Sequence, residues 1–171
     1  MKKKRTLTIA IAMVVVLIGI WRICPHSLKD ILNPNEKTFS TISVQVSEFG
    51  VSNNSPNIDV YKLEIASPQD ENYESIVSII ESTKFRQDFR NLLPWNTLSV
   101  SSGSKNITHS AIVMLKWGSS NDEVCHITFH DDRIVSFSFG GSTEFLVYHP
   151  TNRTALNQIV EYTKENGILQ K

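Results

Sequence analysis

A run of 16 residues without a charge, Thr6–Trp21, constrains this chain more than any other feature. Ile, Val, Ala, Leu and Met dominate its centre. As an α-helix the run would extend about 24 Å, slightly less than the roughly 30 Å hydrocarbon core of a bilayer. Trp21 and Arg22 suit the headgroup region, where an arginine extends its side chain toward water. The pattern predicts a transmembrane helix over residues 6–23.

The charges around this run predict its orientation. Residues 1–5 carry four basic side chains before the run, whereas only Arg22 closely follows it. Basic residues beside a membrane span are retained on the cytoplasmic side. We therefore expect a cytoplasmic tail over 1–5, a stalk over 24–37, and an extracytoplasmic domain over 38–171.

Two other fates of the N-terminal segment stay open. A cleaved signal peptide would release a secreted domain, but cleavage needs small residues before the cut, and residues 21–26 offer no such pair. Lipid attachment at Cys24 would need a small residue and an apolar residue before it, and Arg22-Ile23 departs from that pattern. An uncleaved anchor fits the residues better than either alternative. Cys24 and Cys125 are expected to be unpaired thiols.

The charge of the remaining chain argues against nucleic acid as a partner. Beyond Ser27 there are 12 basic and 17 acidic residues, an excess of five negative charges. Nucleic-acid affinity rests on Lys and Arg that neutralise phosphates. The glycine-rich motifs that hold nucleotides and dinucleotides are also absent from the sequence. We expect no nucleic-acid partner and no cofactor.

Alternating apolar and polar residues predict most of the strands. Ile42–Val46 and Tyr61–Ile65 alternate in this way, and Gly50–Pro56 between them is rich in Ser and Asn, as a loop would be. Further strands are predicted over residues 107–117, 123–129, 133–139 and 143–148. Short connections between such strands favour antiparallel neighbours, so we expect a meander.

Two amphipathic helices are predicted beside these strands. The first opens at Ser67-Pro68, and the second starts near Thr151 and stops at Gly167. Their apolar stripes are Tyr73, Ile76, Val77 and Ile80 in the first helix and Leu156, Ile159, Val160 and Thr163 in the second. Residues 83–94 fit a helical turn or a strand equally well. The fold class is therefore α+β, an antiparallel sheet with two helices packed on one face, preceded by the transmembrane helix.

One cluster of basic and aromatic residues stands out in this acidic domain. It consists of Lys84, Phe85, Arg86, Phe89, Arg90 and Trp95. Such a patch suits an anionic lipid headgroup, a cell-wall polymer or an acidic protein partner. The alternative interpretation is structural, with the aromatic rings in the core and the charged groups in water.

No catalytic motif is present, but dispersed residues leave a second function class open. His130, Asp131, Asp132 and His149 would serve an envelope hydrolase if the fold brought them together. A metal site is not expected, because His126 and His130 on one strand face would lie roughly 13 Å apart. The absence of adjacent acids, bases and nucleophiles favours a binding domain over an enzyme.

In layout the chain resembles the small, single-pass, membrane-anchored bacterial proteins of unknown function. The Lys-rich start, the single apolar run and the Ser- and Asn-rich α+β domain carry the resemblance. The resemblance implies a location at the cell membrane and transfers no active residues.

Overall fold

The computed structural model describes residues 2–32, 38–52, 55–88, 91, 108–118, 123–140 and 145–170. Within them the chain is an α+β protein with one antiparallel sheet of eight strands, which confirms the predicted fold class at that level. The helices are α1 (Lys2–Ile23), α2 (Leu28–Ile31), α3 (Tyr73–Ser82) and α4 (Ala155–Asn166). The strands are β1 (Thr41–Ser52), β2 (Ser55–Ile65), β3 (Phe85–Gln87), β4 (His109–Lys116), β5 (Val124–Phe129), β6 (Val135–Phe139), β7 (Phe145–Pro150) and β8 (Ile168–Gln170).

The order of strands across the sheet is β3-β7-β6-β5-β4-β1-β2-β8. The successive strands β4 to β7 are neighbours, as short connections require, and the β1–β2 hairpin joins them through β1 and β4. Two short strands, β3 and β8, form the edges. The undecided segment around Phe85 is thus resolved as an edge strand over Phe85–Gln87.

The alternation of apolar and polar residues gives this sheet one buried face and one open face. Val44, Val113, Ile127 and Phe137 are register partners on β1, β4, β5 and β6, and each is fully buried. Their chain neighbours point to the opposite face, because successive strand residues alternate. One row on that open face contains Gln45, Ile112, Thr128 and Ser136.

The helices α3 and α4 contribute apolar side chains to the core, which they form together with the buried face of the sheet. Helix α4 contacts β1, β2 and β4, and α3 contacts α4. Leu156, Ile159, Val160 and Thr163 are exposed by 6% or less, so the predicted stripe of the closing helix is confirmed. In α3, Ile76 and Ile80 are buried, while Tyr73 and Val77 pack against the core from its margin.

Two boundaries from the sequence are wrong in detail. The expected loop Gly50–Pro56 is mostly strand: β1 continues to Ser52 and β2 starts at Ser55, with Gly50 paired to Asn57. Polar residues in an exposed hairpin arm complete their backbone hydrogen bonds by pairing, whatever their intrinsic preference. Likewise, Ser67-Pro68 opens a turn in which Ser67 accepts from the Gln69 N–H, and helix α3 begins only at Tyr73.

The N-terminal segment is a long helix, α1, whose described apolar side chains are exposed. None of the helices in the described part of the chain has the length and apolar character needed to cross a membrane. The described large apolar side chains of α1 are 53% to 64% exposed, namely Leu7, Ile9, Ile11, Met13, Val14, Val16, Leu17 and Ile20. Helix α1 therefore buries little of this surface against the rest of the chain.

The segment after α1 makes close contact with the domain. His26 and Phe85 form an antiparallel bridge, in which each backbone N–H donates to the other carbonyl oxygen at 2.8 Å. Ser27 then caps α2, and Leu28 and Leu32 are only 1% and 5% exposed. Of the segment expected to be a stalk, residues 24–32 thus run along the sheet edge and into the core, and residues 33–37 lie outside the described residues.

Candidate functional site

A cleft of about 660 Å³ opens beside the end of β7. It is lined by Asp131, Asp132, Arg133, Ile134, His149, Pro150 and Arg153. The first four residues belong to the turn between β5 and β6, and Arg153 stands just before α4. The cleft therefore gathers three of the four residues proposed from sequence for a hydrolase, Asp131, Asp132 and His149, and adds two arginines that were not proposed.

Asp131 builds the turn that forms one wall of this cleft. Its Oδ1 accepts hydrogen bonds from the backbone N–H groups of Arg133 at 2.8 Å and Ile134 at 2.7 Å. The His130 N–H donates to the Ile134 carbonyl oxygen and closes the same turn. The carboxylate of Asp131, only 8% exposed, is thus committed to the backbone. Asp132 lies 3.7 Å from Arg133 Nε, beyond ordinary hydrogen-bond length.

His149 connects that turn to the edge strand. Its Nδ1 lies 2.9 Å from the Arg133 carbonyl oxygen, and its Nε2 lies 3.0 Å from Oδ2 of the buried Asp88. A carbonyl oxygen only accepts, so the contact with Arg133 fits a proton on Nδ1. Both ring nitrogens of His149 are therefore engaged. In this arrangement neither is free to take a proton from a substrate.

His130 turns away from the cleft, toward the sheet. Its Nε2 lies 2.8 Å from Ser136 Oγ on β6. Burial lowers the pKa of His130, and the nearby Asp131 charge opposes that effect only partly. This contact gives a hydrogen-bond partner to the His130 ring and to the Ser136 hydroxyl, two polar groups that are largely out of water.

The structure places the predicted basic and aromatic patch at the β3 edge. Phe85 has no exposed surface and packs edge-on against Phe137, with ring centroids 5.1 Å apart, so the structural interpretation is confirmed for this ring. Lys84 and Arg86 are exposed. Phe89, Arg90 and Trp95 lie outside the described residues. The binding patch as a whole therefore stays a prediction.

The described residues also locate the cysteines and histidines considered from sequence. Cys125, Ile127 and Phe129 are fully buried on β5 while His126 is partly exposed, as the alternation predicted. Burial raises the pKa of the Cys125 thiol to about 12, which makes it a packing residue. Cys24 is a free, exposed thiol. Within the described ranges no three His, Cys, Asp or Glu side chains are placed to share a metal ion.

Sequence reasoning missed Arg133 and Arg153 as members of a site. They are 20 residues apart in sequence and line the same cleft only because β7 pairs with β6 and then leads into α4. The available signal was local: His130-Asp131-Asp132-Arg133 reads as a turn, and a turn between two predicted strands places its side chains at one end of the sheet.

No protein family, curated protein or solved structure matches this chain.

Proposed function

We propose that this chain is a single-pass membrane protein whose N-terminal helix anchors an extracytoplasmic domain that binds a component of the cell envelope. The surface of α1 is the observation that carries the proposal. Its described large apolar side chains are all more than half exposed and occur at successive positions around the helix, as in Met13, Val14, Val16 and Leu17. A helix that is apolar on all sides is stable when an apolar medium surrounds it.

Charge supports the location of each end. Four basic residues precede the apolar run and Arg22 follows it, and this asymmetry favours a cytoplasmic N-terminus. The charge-free run is slightly shorter than the hydrocarbon core, and Arg22 can extend its side chain to the headgroups to accommodate the difference. The domain from residue 38 onward then lies outside.

The state of the candidate acids and bases supports binding rather than catalysis. Asp131 is committed to two backbone N–H groups, and both nitrogens of His149 have partners. The alternative, an envelope hydrolase, draws support from the cleft that Asp131, Asp132 and His149 share. Asp131 is only 8% exposed and both His149 nitrogens have partners, so Asp132 is the most accessible candidate general base of the three.

The binding surface that we infer lies at the β3 edge, next to the anchor. Helix α1 contacts β3, and His26 follows the last residue of α1 by three positions, a span of at most about 10 Å. Lys84 and Arg86 are exposed there. Basic side chains so close to the end of the anchor favour an anionic envelope component as the ligand.

Membrane fractionation of cells that express the full chain tests the anchor. The wild type should stay in the pellet after alkaline carbonate extraction, whereas the double variant Met13→Arg/Leu17→Arg should be released. An arginine at the centre of a span costs about 2.5 to 3.5 kcal/mol of insertion free energy. Ile168→Arg, at a side chain that is 71% exposed in β8, is the matched control and should stay in the pellet. Extraction of the wild type would overturn the proposal.

N-terminal sequencing of the protein from the same pellet and from the culture medium distinguishes an anchor from a cleaved signal peptide. An intact N-terminus supports the anchor. A mature chain that begins after residue 23 would instead support the secreted domain.

A further inference from the structure

The cleft beside β7 contains two arginines that lie outside the binding surface proposed at the β3 edge. Arg133 and Arg153 line it from two directions, one from the β5–β6 turn and one from the start of α4. The side chain of Arg133 is 68% exposed, and Arg153 is exposed as well. Among the described residues Arg153 makes no side-chain hydrogen bond or ion pair. Two guanidinium groups therefore line the same space, and only Arg133 has an acidic neighbour, Asp132.

The acidic groups around the cleft already have partners of their own. Asp131 is occupied by the N–H groups of its own turn, and Asp88 is paired with His149. Asp132 lies 3.7 Å from Arg133 and is 46% exposed, so water screens this contact and the interaction is weak. An anion that enters the cleft would meet arginine donors whose local acidic neighbours are either satisfied or weakly bound.

The start of α4 adds a smaller positive contribution. The helix begins two residues after Arg153, has no acidic residue in its first turn, and its N-cap Thr154 makes no side-chain capping hydrogen bond. The N-terminal end of a helix carries a partial positive charge from its unpaired N–H groups. This end reinforces the two arginines at the same side of the cleft.

Arginine pairs favour one class of anion in particular. The planar guanidinium donates two parallel hydrogen bonds to two oxygens of one group, a geometry that phosphate matches. Ile134 and Pro150 give the cleft apolar walls beside these donors. A phosphate attached to a small organic group fits such a mixed lining better than a bare metal ion or an apolar ligand does.

The position of the cleft relative to the anchor favours a phosphate at the membrane surface, and this step rests on the proposed function. Pro150 is the register partner of Phe85, and Phe85 bridges to His26. Two strand spacings, roughly 10 Å, therefore separate Pro150 from the chain that leaves α1. In the order of strands, the cleft therefore lies at the same edge of the sheet as the end of α1.

We propose that Arg133 and Arg153 form a binding site for a phosphate group, carried by a lipid headgroup or free in solution. Each arginine donates to phosphate oxygens, and the turn built by Asp131 holds Arg133 in place. Arg86, on the strand opposite His149, extends the basic surface beyond the cleft.

Calorimetric titration of the full chain in an uncharged detergent tests this site. One arm uses inorganic phosphate and the other uses dihexanoyl phosphatidylglycerol below its micelle concentration, with dihexanoyl phosphatidylcholine as the zwitterionic comparison. The double variant Arg133→Gln/Arg153→Gln should bind at least about ten-fold more weakly than the wild type, because each charged hydrogen bond contributes at least one such factor. The double variant Arg133→Lys/Arg153→Lys keeps both positive charges but cannot donate two parallel hydrogen bonds from one planar group. It should therefore lose part of the affinity.

Lys62→Gln is the matched control, because it removes one exposed basic charge on β2, far across the sheet order from β7. It should bind as the wild type does. Binding of phosphatidylglycerol alone assigns the site to a lipid headgroup, and binding of inorganic phosphate alone assigns it to a free phosphate. No binding in either arm, or equal affinity in the double glutamine variant, would overturn the site. Because the titration needs no bilayer, its failure is distinguishable from failure of the anchor in carbonate extraction.

Discussion

Helices α1 and α4 both contain many apolar residues, but these residues are exposed in α1 and buried in α4. In α4, Ile159 is fully buried and Leu156 is 3% exposed, whereas in α1 Met13 and Leu17 are each 64% exposed. The apolar residues of α4 form one stripe with polar residues opposite, and those of α1 continue around the helix. A stripe can be buried by one sheet face. The exposed apolar side chains of α1 have no such face to pack on among the described residues, and the proposed anchor would place them in lipid.

The largest expected effect contrasts one core side chain with one exposed side chain. Ile159→Ala should lower the free energy of unfolding of the domain by about 2 to 5 kcal/mol, because the substitution leaves a cavity among closely packed side chains. Leu17→Ala should leave that free energy unchanged within about 0.5 kcal/mol. Urea denaturation of the full chain in detergent measures both. An equal loss in the two variants would mean that α1 belongs to the core, and the contrast would fail.

Two glycines allow the same comparison between α4 and α1, now at the backbone. At Gly167, which ends α4, an added Cβ would lie 2.5 Å from the Thr163 carbonyl oxygen and 2.8 Å from that of Lys62. Gly167→Ala should therefore cost about 1 to 3 kcal/mol of unfolding free energy, as other overpacked sites do. At Gly19 in α1 an added Cβ would have no heavy atom within 4 Å apart from the backbone of its own helix and its two chain neighbours, so Gly19→Ala should leave the domain as stable as the wild type. Thermal denaturation in detergent compares the two variants.

The fold could be predicted from sequence where periodicity is strong. Strands β4 to β7 and the stripe of α4 were expected nearly at their observed positions, because burial of one face imposes a clear pattern. The edge strands β3 and β8 could not be found in this way. Each has only three residues, and each is defined by its partner, β7 or β2, rather than by its own pattern.

The candidate site was only partly predictable. His149, Asp131 and Asp132 were named together as a possibility, but their hydrogen bonds, which decide their chemistry, depend on strand register and on the buried Asp88. The packing of Leu28 and Leu32 into the core was not expected either. Pro25 and the polar residues around it suggested a stalk, and a four-residue helix such as α2 leaves too short a pattern to recognise.

The capping box at α2 lies where the chain that follows α1 begins to pack on the sheet. Ser27 Oγ lies 2.7 Å from Asp30 Oδ2, and the Ser27 N–H donates to the same oxygen at 2.8 Å. Ser27→Ala should cost about 1 kcal/mol of domain stability at neutral pH. If the variant is as stable as the wild type, the segment after α1 contributes nothing to the domain.

The hydrogen bonds between Ser27 and Asp30 also predict how the stability of the domain changes at acidic pH. The hydrogen bonds from Ser27 lower the pKa of Asp30 below its ordinary 3.8. A lowered carboxyl pKa stabilises the fold above the unfolded value and loses that contribution as pH falls through the folded value. The stability difference between wild type and Ser27→Ala should therefore shrink below about pH 4. Denaturation curves from pH 7 to pH 3 measure it, and a difference that stays constant would contradict this cause.

The smallest expected effect concerns His130, which belongs to the domain alone. Burial lowers its pKa below the ordinary 6.5, so below that pH the unfolded chain binds a proton that the folded chain resists. Stability should decline as pH falls from 6.5 toward the folded value and then level off with respect to this group. His130→Gln should remove that part of the pH dependence. Retention of the full chain in the membrane pellet should not change over the same range, since α1 takes no part in this titration.

Protease treatment of intact cells tests the central claim most directly. The chain would carry one epitope tag at its N-terminus and another at its C-terminus, and each tag would be followed by immunoblot before and after the membrane is permeabilised. An anchored chain with its domain outside predicts that intact cells lose the C-terminal tag and keep the N-terminal one. A C-terminal tag that survives until permeabilisation would contradict the account.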